Sequence, residues 1–525
     1  MIHIYSGVPG SGKTTALLGD FIKVIENHGI GGILFLSFTR SVRKEIWERM
    51  VALGYEEDDI RSVVRTLHSF CFSSLGLSRD NVMSADDYEE FNRQYHYNIA
   101  MRESWGEDTF SEELEEGESF GNILLRTIHL LYQMRKDLTA WKSIAHQIPD
   151  EYYQHISLEV LQAFEVDYSA FKKKLGKYDY IDFIMKFRDN GQYPTFDFLF
   201  IDEVQDFNPL ELQVIDGLKE KAGQAWLAGD AKQSIMNFKG ASPEWFEALI
   251  EDNRTRVVEL NFSHRLPKDI VVHAMYTIKK QKGFHRIQEI ETNLQGGVVR
   301  QIPGSIEYLV GDLGRHYNTE WKYFIVSRVR YRLGEVKKHL SESFLPYGII
   351  GRGQSIFNAS MESTMRLLRD IVSGNFGMSG KQVGLLLRDI PQKDNLKRGW
   401  KTDIVEKNSI SMEEFYGGFV RVKNAQDFIG LFISCLNSKE KRAAYLSWIQ
   451  KGYPAFNSSK INVFLGTWHG CKGLECDCVY SIPEITRRIA RSMQEPDGYN
   501  SEVRLQYVVD TRARHELVIV GSEYI

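Results

Sequence analysis

Cysteine is scarce: five residues in 525, at irregular spacing, cannot build a disulfide framework. That scarcity points to a reducing, cytoplasmic setting. No run approaches the roughly 18 apolar residues that a membrane span requires, so no membrane partner is expected. The opening Met1-Ile-His-Ile-Tyr-Ser lacks a basic stretch followed by an apolar one, so no secretory signal is read there. Overall basicity is lacking too, because the formal net charge is −5. A nucleic-acid partner survives that observation, since a local basic track is enough on a mostly acidic body. The acid concentrates at 56–59 and 112–118, stretches that read as solvated loops or helix faces. Cys471, Cys476 and Cys478 lie close in sequence but lack a second ligand pair. They read as small buried side chains around a strand rather than as a zinc site.

Hydrophobic residues make up 43% and charged residues 26%, the balance of a globular chain, and the length suggests three or four domains. Short β-rich runs recur at 2–5, 32–38, 196–201, 225–228, 257–260, 323–327, 461–465 and 517–520, with helical stretches between them. Strands alternating with helices imply parallel sheets covered on both faces. Two stretches, about 80–180 and 375–455, are rich in helix formers without a convincing strand, and are read as helical insertions. No internal repeat or low-complexity tract stands out.

Gly7-Val-Pro-Gly-Ser-Gly-Lys13-Thr14 fits G-x-x-x-x-G-K-S/T between an expected strand and an expected helix. Gly7, Gly10 and Gly12 would let the loop, with Val8, Pro9 and Ser11, turn its backbone N–H groups inward around an anion. The helix N-terminus, entered through Thr14 and Thr15, adds its positive dipole end. Lys13 would reach the β- and γ-phosphates, and the Thr14 hydroxyl would ligate Mg²⁺. An apolar strand at 196–201 ends in Asp202 and Glu203, at the edge where ligands bind in such sheets. Asp202 is expected to hold Mg²⁺, and Glu203 to act as general base on the attacking water.

These residues begin an ordered series that resembles the superfamily-one helicases of the UvrD/Rep/PcrA type, from residue 7 to about 520. Asp202-Glu-Val-Gln-Asp206 resembles the D-E-x-Q-D box of that family. Gly229-Asp-Ala-Lys-Gln233-Ser-Ile-Met-Asn-Phe238-Lys-Gly-Ala resembles G-D-x-x-Q-S-I-Y-x-W-R-G-A. Thr467-Trp-His469-Gly-Cys-Lys-Gly473-Leu-Glu475 resembles T-x-H-x-x-K-G-L-E, and Tyr507-Val-Val-Asp-Thr511-Arg512-Ala resembles Y-V-x-x-T-R-A. Leu36-Ser-Phe38-Thr39 and Thr66-Leu-His68-Ser69-Phe70 resemble two early DNA-contact boxes.

The resemblance implies an α/β fold of two RecA-like P-loop domains with parallel sheets, each interrupted by a mainly helical insertion. The first domain is expected at 1–80 and 180–255 around an insertion at 81–179. The second is expected at 256–375 and 456–525 around an insertion at 376–455. Gln205 and Gln233 would sense the γ-phosphate. Arg265 and Arg512 would approach from the second domain as arginine fingers, so that hydrolysis requires closure. Gly473 and Glu475 would contact the nucleotide. Phe38, Thr39, His68, Phe238 and His469 would contact DNA.

The implied activity is ATP-dependent, Mg²⁺-supported movement 3′ to 5′ on single-stranded DNA with unwinding at duplex junctions. The alternative is a strand-stimulated translocase or regulatory ATPase that serves a separate nuclease. A monomer is expected, and a protein loading partner is left open. The pattern departs from the family in places. No glutamine occurs in the six residues before Gly7, so relaxed nucleoside selectivity is expected. Met236, Phe238 and Lys239 stand where the family has Tyr, Trp and Arg. No nuclease domain is expected after Arg512, and the compact insertions suggest a phage or mobile-element origin.

Overall fold

The computed structural model describes residues 1–525 except 39, 101–118, 242, 284–286, 352–354, 376, 389, 392–394, 397–399, 405–406 and 524, and except the side chains of 40–42, 45, 150 and 402. Thr39 and the acidic 112–118 stretch therefore lie outside the described residues. Contacts divide the chain into two units. One is Met1–Gly297 with Ile485–Thr511 and Ile525, and the other is Val298–Glu484 with Arg512–Tyr524.

The first unit is built on β1 (Ile2–Gly7), β2 (Ile33–Ser37), β3 (Val64–Thr66), β4 (Phe196–Ile201), β5 (Ala222–Gly229) and β6 (Thr255–Leu260). They form one sheet in the order β3-β2-β4-β5-β1-β6, with every pairing parallel. Successive side chains of a strand point to opposite faces, and a parallel sheet with helices on both sides buries both sets. β2 shows this directly. Leu34 and Leu36 enter a core with Ile201, Leu227 and Phe187, whereas Ile33 and Phe35 enter a second core with Phe21 and Phe200.

A helical insertion separates β3 from β4. Helices Ala85–Tyr95, Phe120–Gln133 and Leu158–Leu175 enclose their own core of Phe91, Ile123, Leu131, Phe164 and Phe171. Each starts on a serine (Ser84, Ser119, Ser157) whose side chain accepts a backbone N–H three residues on, which satisfies one of the helix's otherwise orphan donors. Helix Tyr180–Asn190 returns the chain to the sheet, and its Ile181, Phe183, Ile184 and Phe187 belong to the sheet core.

The second unit repeats the plan with β7 (Val298–Ile302), β8 (Tyr323–Ser327), β9 (Gly348–Ile349), β10 (Val463–Thr467), β11 (Cys476–Ile482) and β12 (Ala513–Val520). The order is β7-β12-β11-β8-β10-β9, again all parallel. Between β9 and β10 the described residues are mainly helical, including Ala359–Val372, Ala425–Cys435 and Lys439–Gln450. These helices share one continuous core with the sheet through Leu368, Phe428, Phe432, Trp448 and Tyr480. No described helix is long and apolar enough to cross a membrane.

Two segments differ from the expected boundaries. Residues 256–297 were assigned to the second domain, yet β6 pairs with β1 from Ile2↔Thr255 to Gly7↔Leu260 and so completes the first sheet. Ile485–Thr511, also expected in the second domain, belongs to the first unit, where helix Pro496–Asp510 packs on helix Lys268–Ile278. Thr277 Oγ1 donates to Asp510 Oδ2 at 2.9 Å across that pair. The cause is backbone pairing and helix packing, which box order along the chain does not encode.

One polar cluster lies deep in the first unit. Asp179 Oδ2 accepts from Lys172 Nζ at 2.9 Å and from the Tyr168 hydroxyl at 3.0 Å, and lies 3.1 Å from His129 Nε2. Burial alone would raise the Asp179 carboxyl, but Lys172 and His129 outweigh it and hold the group well below the usual carboxylate range. Removing one member of a buried ion pair leaves an uncompensated charge, which costs about 3–5 kcal/mol. Lys172→Met is therefore expected to destabilise the first unit by about 3 kcal/mol, read from urea unfolding. An unchanged midpoint would show that Lys172 does not compensate Asp179.

Candidate nucleotide site

In a parallel sheet every strand ends at the same edge, so the loops that follow β1, β4, β5 and β6 converge there. The loop after β1 runs through Gly10 and Gly12, with φ of 73° and 81°, the left-handed region that glycine enters without steric cost. Gly12 caps helix Lys13–His28. Gly10 meets a second constraint, because a Cβ there would lie 2.7 Å from Arg265 Cβ. The loop is pinned from the β6 side: Val8 N–H donates to Leu260 O at 3.0 Å, His264 N–H to Gly10 O at 3.0 Å, and Ser263 Oγ to Pro9 O at 2.8 Å. Ser11 N–H donates to Val8 O at 3.2 Å, and Thr15 is exposed in the first helical turn.

Lys13 Nζ folds back across the loop and donates to Gly7 O at 2.8 Å and Val8 O at 3.2 Å. Desolvation lowers its ammonium pKa, against the opposing pull of Asp230, Glu203 and Asp202. Thr14 Oγ1 donates to Asp202 Oδ2 at 2.8 Å, which joins the loop helix to the end of β4. Asp202 is 1% exposed. Burial, and then the charge of Glu203, pushes its carboxyl up to about 7. A buried acid and a hydroxyl side by side are hard oxygen donors, and a cation beside them would relieve the cost of ionising Asp202. The pair therefore fits a small divalent cation.

Glu203 adopts φ 52°, a left-handed conformation rare for a non-glycine residue. Its N–H donates to Asp202 Oδ1 at 2.9 Å, and its carboxylate accepts from the Gln205 side-chain amide. Gln205 is fully buried, and its Oε1 accepts from Asp230 N–H at 3.0 Å. Asp230 Oδ2 in turn accepts from Gln233 Nε2 at 2.7 Å. Glu203, Gln205, Asp230 and Gln233 thus form one hydrogen-bonded chain. Gly229 makes room for it, since a Cβ there would stand 2.5 Å from Gln205 Oε1.

The structure brings together Lys13, Thr14, Asp202, Glu203, Gln205, Gln233 and Arg265 in the first unit. Arg265 is a correction. It was expected to arrive from the second domain, but it follows β6, the neighbour of β1, and so lies against Gly10 on the phosphate loop's own sheet. Arg512, Gly473, Glu475 and His469 belong to the second unit. There Arg512 Nη1 donates to Leu474 O at 3.3 Å, Glu475 pairs with Arg514, and His469 opens a short turn after β10.

At the same edge of the first sheet, Phe38 is half-buried edge-on to Phe207 at 5.3 Å, and Lys239 Nζ stands 5.2 Å from its ring centroid. Phe238 is half-buried in the turn Asn237–Lys239. His68 and Lys239 line a small cleft with His129, Tyr180, Asn208 and Glu211. One site residue escaped sequence reading. Asp230 stood inside a recognised box, where its place after Gly229 could have marked it.

A sequence profile described as the UvrD/REP helicase N-terminal domain matches residues 2–254. The chain is UvrD/PcrA-like. It is 24% identical over 387 residues to a probable DNA helicase II homolog of Mycoplasma capricolum, covering 67% of this chain and 50% of that protein. It is 23% identical over 454 residues to the ATP-dependent DNA helicase PcrA of Staphylococcus epidermidis, covering 80% of this chain and 58% of that one. A putative ATP-dependent DNA helicase, YjcD, of Bacillus subtilis is 26% identical over 294 residues, covering 52% and 36%. The chain thus spans about half the length of the curated relatives it matches. Its two six-stranded parallel sheets agree with two RecA-like domains.

Gly10→Ala is expected to weaken binding of a fluorescent ATP analogue by about tenfold or more, because a left-handed alanine costs about 1–2 kcal/mol before any clash with Arg265. Unchanged affinity would mean that the loop adopts another path.

Proposed function

We propose that this chain is an ATP-dependent DNA helicase and translocase, moving 3′ to 5′ on single-stranded DNA and unwinding duplex ahead of it. The observation that carries the reading is the Thr14–Asp202 hydrogen bond of 2.8 Å beneath the Lys13 loop, continuous with the Glu203–Gln205–Asp230–Gln233 chain. It is the arrangement needed to grip a triphosphate and to report its hydrolysis.

In this reading the loop N–H groups and Lys13 bind the β- and γ-phosphates. Thr14 and Asp202 would hold Mg²⁺, which supplies neutralising charge to the phosphate oxygens. Glu203 accepts a proton from the attacking water as that water bonds to the γ-phosphorus and the bond to the ADP oxygen breaks. Gln205 orients the Glu203 carboxylate, and the Arg265 guanidinium offsets charge building on the transferred group. Loss of the γ-phosphate relaxes Gln233, which lies five residues before Phe238. For the strand, Phe38, Phe238 and His68 offer rings, and Lys239 offers charge. Base–aromatic stacking is worth about 1–3 kcal/mol per base, strong enough to hold and weak enough to release each cycle. A protein partner that loads the motor is part of the proposal only as an open role, and action as a monomer is the simplest form of it.

Glu203→Gln is expected to lower kcat by about 10²–10⁴ while a fluorescent ATP analogue still binds, and Lys13→Ala to abolish turnover. Near-normal hydrolysis in Glu203→Gln would remove Glu203 as the base. Strand displacement on 3′-tailed, 5′-tailed and blunt duplexes of DNA and RNA tests the motor, with unwinding of 3′-tailed DNA expected. Unwinding of 5′-tailed substrates alone would overturn the polarity. Stimulated hydrolysis without displacement would instead support the translocase reading.

A further inference from the structure

The segment between Gln233 and Phe238 is held from outside the sheet by the side chain of Arg504. Arg504, on helix Pro496–Asp510, is 2% exposed. Its Nε donates to Ser234 O at 2.8 Å, and its Nη2 donates to Asn237 Oδ1 at 3.2 Å. Ser234 is itself fully buried and ties back to the phosphate site, because its Oγ donates to Gln205 O at 2.9 Å. Asn237 opens the turn that carries Phe238 and Lys239. One guanidinium therefore clasps both ends of a four-residue span, with the glutamine chain on one side and the aromatic turn on the other.

Filling space does not explain this residue. Burying a guanidinium is costly, and a methionine or leucine would fill the same volume without that penalty. Desolvation draws Arg504 down to about 10, against the opposing pull of the Glu244 and Glu247 carboxylates. What arginine adds is a planar fork whose donors stand at fixed separation, which sets the spacing between Ser234 O and Asn237 Oδ1. Its helix is anchored independently by Asp510 on Thr277 and by packing on helix Lys268–Ile278, which gives the clasp a fixed base.

We propose that Arg504 is a positioning residue that transmits the state of the phosphate site, through Ser234 and Asn237, to Phe238 and Lys239 on the proposed DNA track. The inference rests on the DNA-motor reading given above. Without the fork, the glutamine chain still assembles around a nucleotide, but its state no longer dictates the position of the aromatic turn. In the same way, DNA at the turn no longer reaches the glutamine chain through the fork, and so it no longer accelerates hydrolysis.

The test compares the full chain with Arg504→Gln and Arg504→Lys, measuring kcat and KM for ATP with and without saturating oligo-dT, and binding of a fluorescent ATP analogue. For Arg504→Gln, DNA-free kcat and KM stay within about twofold while the oligo-dT-stimulated kcat falls about tenfold, the size of an ordinary coupling between sites. Arg504→Lys recovers part of the stimulation, since an ammonium can still donate to Ser234 O. Equal losses with and without DNA, or no loss at all, would overturn the inference. If Arg504→Gln fails to bind nucleotide through misfolding, Asn237→Ala replaces it, and unchanged stimulation there would overturn the inference. A wild-type chain that oligo-dT does not stimulate would instead overturn the motor reading, and this inference with it.

Discussion

The hydrogen bond from Thr14 Oγ1 to Asp202 Oδ2 ties two strand ends that the sheet order β4-β5-β1 keeps one strand apart. Around it the remaining groups fall into place because parallel strands release their loops on one side. β1 delivers the phosphate loop, β4 the two acids, β5 Asp230 and Gln233, and β6 Arg265. Remove the shared edge and no spacing along the chain would bring residues 13, 202, 233 and 265 together. The fold is in this sense a device for converging four loops on one anion.

Convergence carries a cost in backbone strain and in burial. Glu203 sits at φ 52°, and such a conformation in a non-glycine residue persists only where its surroundings over-determine it. Here Asp202 holds its N–H and Gln205 holds its carboxylate. Gln205 is held in turn by Asp230, and its carbonyl by Ser234. The Gln205 amide has a partner on both sides. A change at one end is therefore felt at the other, whereas a half-satisfied network would have slack.

Much of this was legible from residue types, because binding a triphosphate permits few spellings. Glycines at 7, 10 and 12 with a lysine, a hydroxyl and a carboxylate pair mark the chemistry wherever they occur in order. The strands at 33–37, 196–201 and 323–327 were equally plain, being apolar runs bounded by turns. The remainder was hidden for physical reasons. β3 and β9 are too short to show periodicity, β7 is only partly buried and interrupts its apolar residues with Arg300 and Gln301, and β11 mixes cysteines with an aspartate. The placement of Arg265 depends on β6 pairing with β1, a long-range choice that local pattern does not record. Arg504 lies on a helix far along the chain, and only the packing of that helix in the first unit brings it to Ser234 and Asn237.

The central claim is that Thr14 and Asp202 act as one cation-binding pair. A double-mutant cycle on Mn²⁺ affinity in the presence of ATP tests it most directly, using Thr14→Val, Asp202→Asn and the two combined. The account predicts strong non-additivity, with a coupling of about 1 kcal/mol or more, so that the second substitution adds little once the first is made. Independent, additive losses would contradict it.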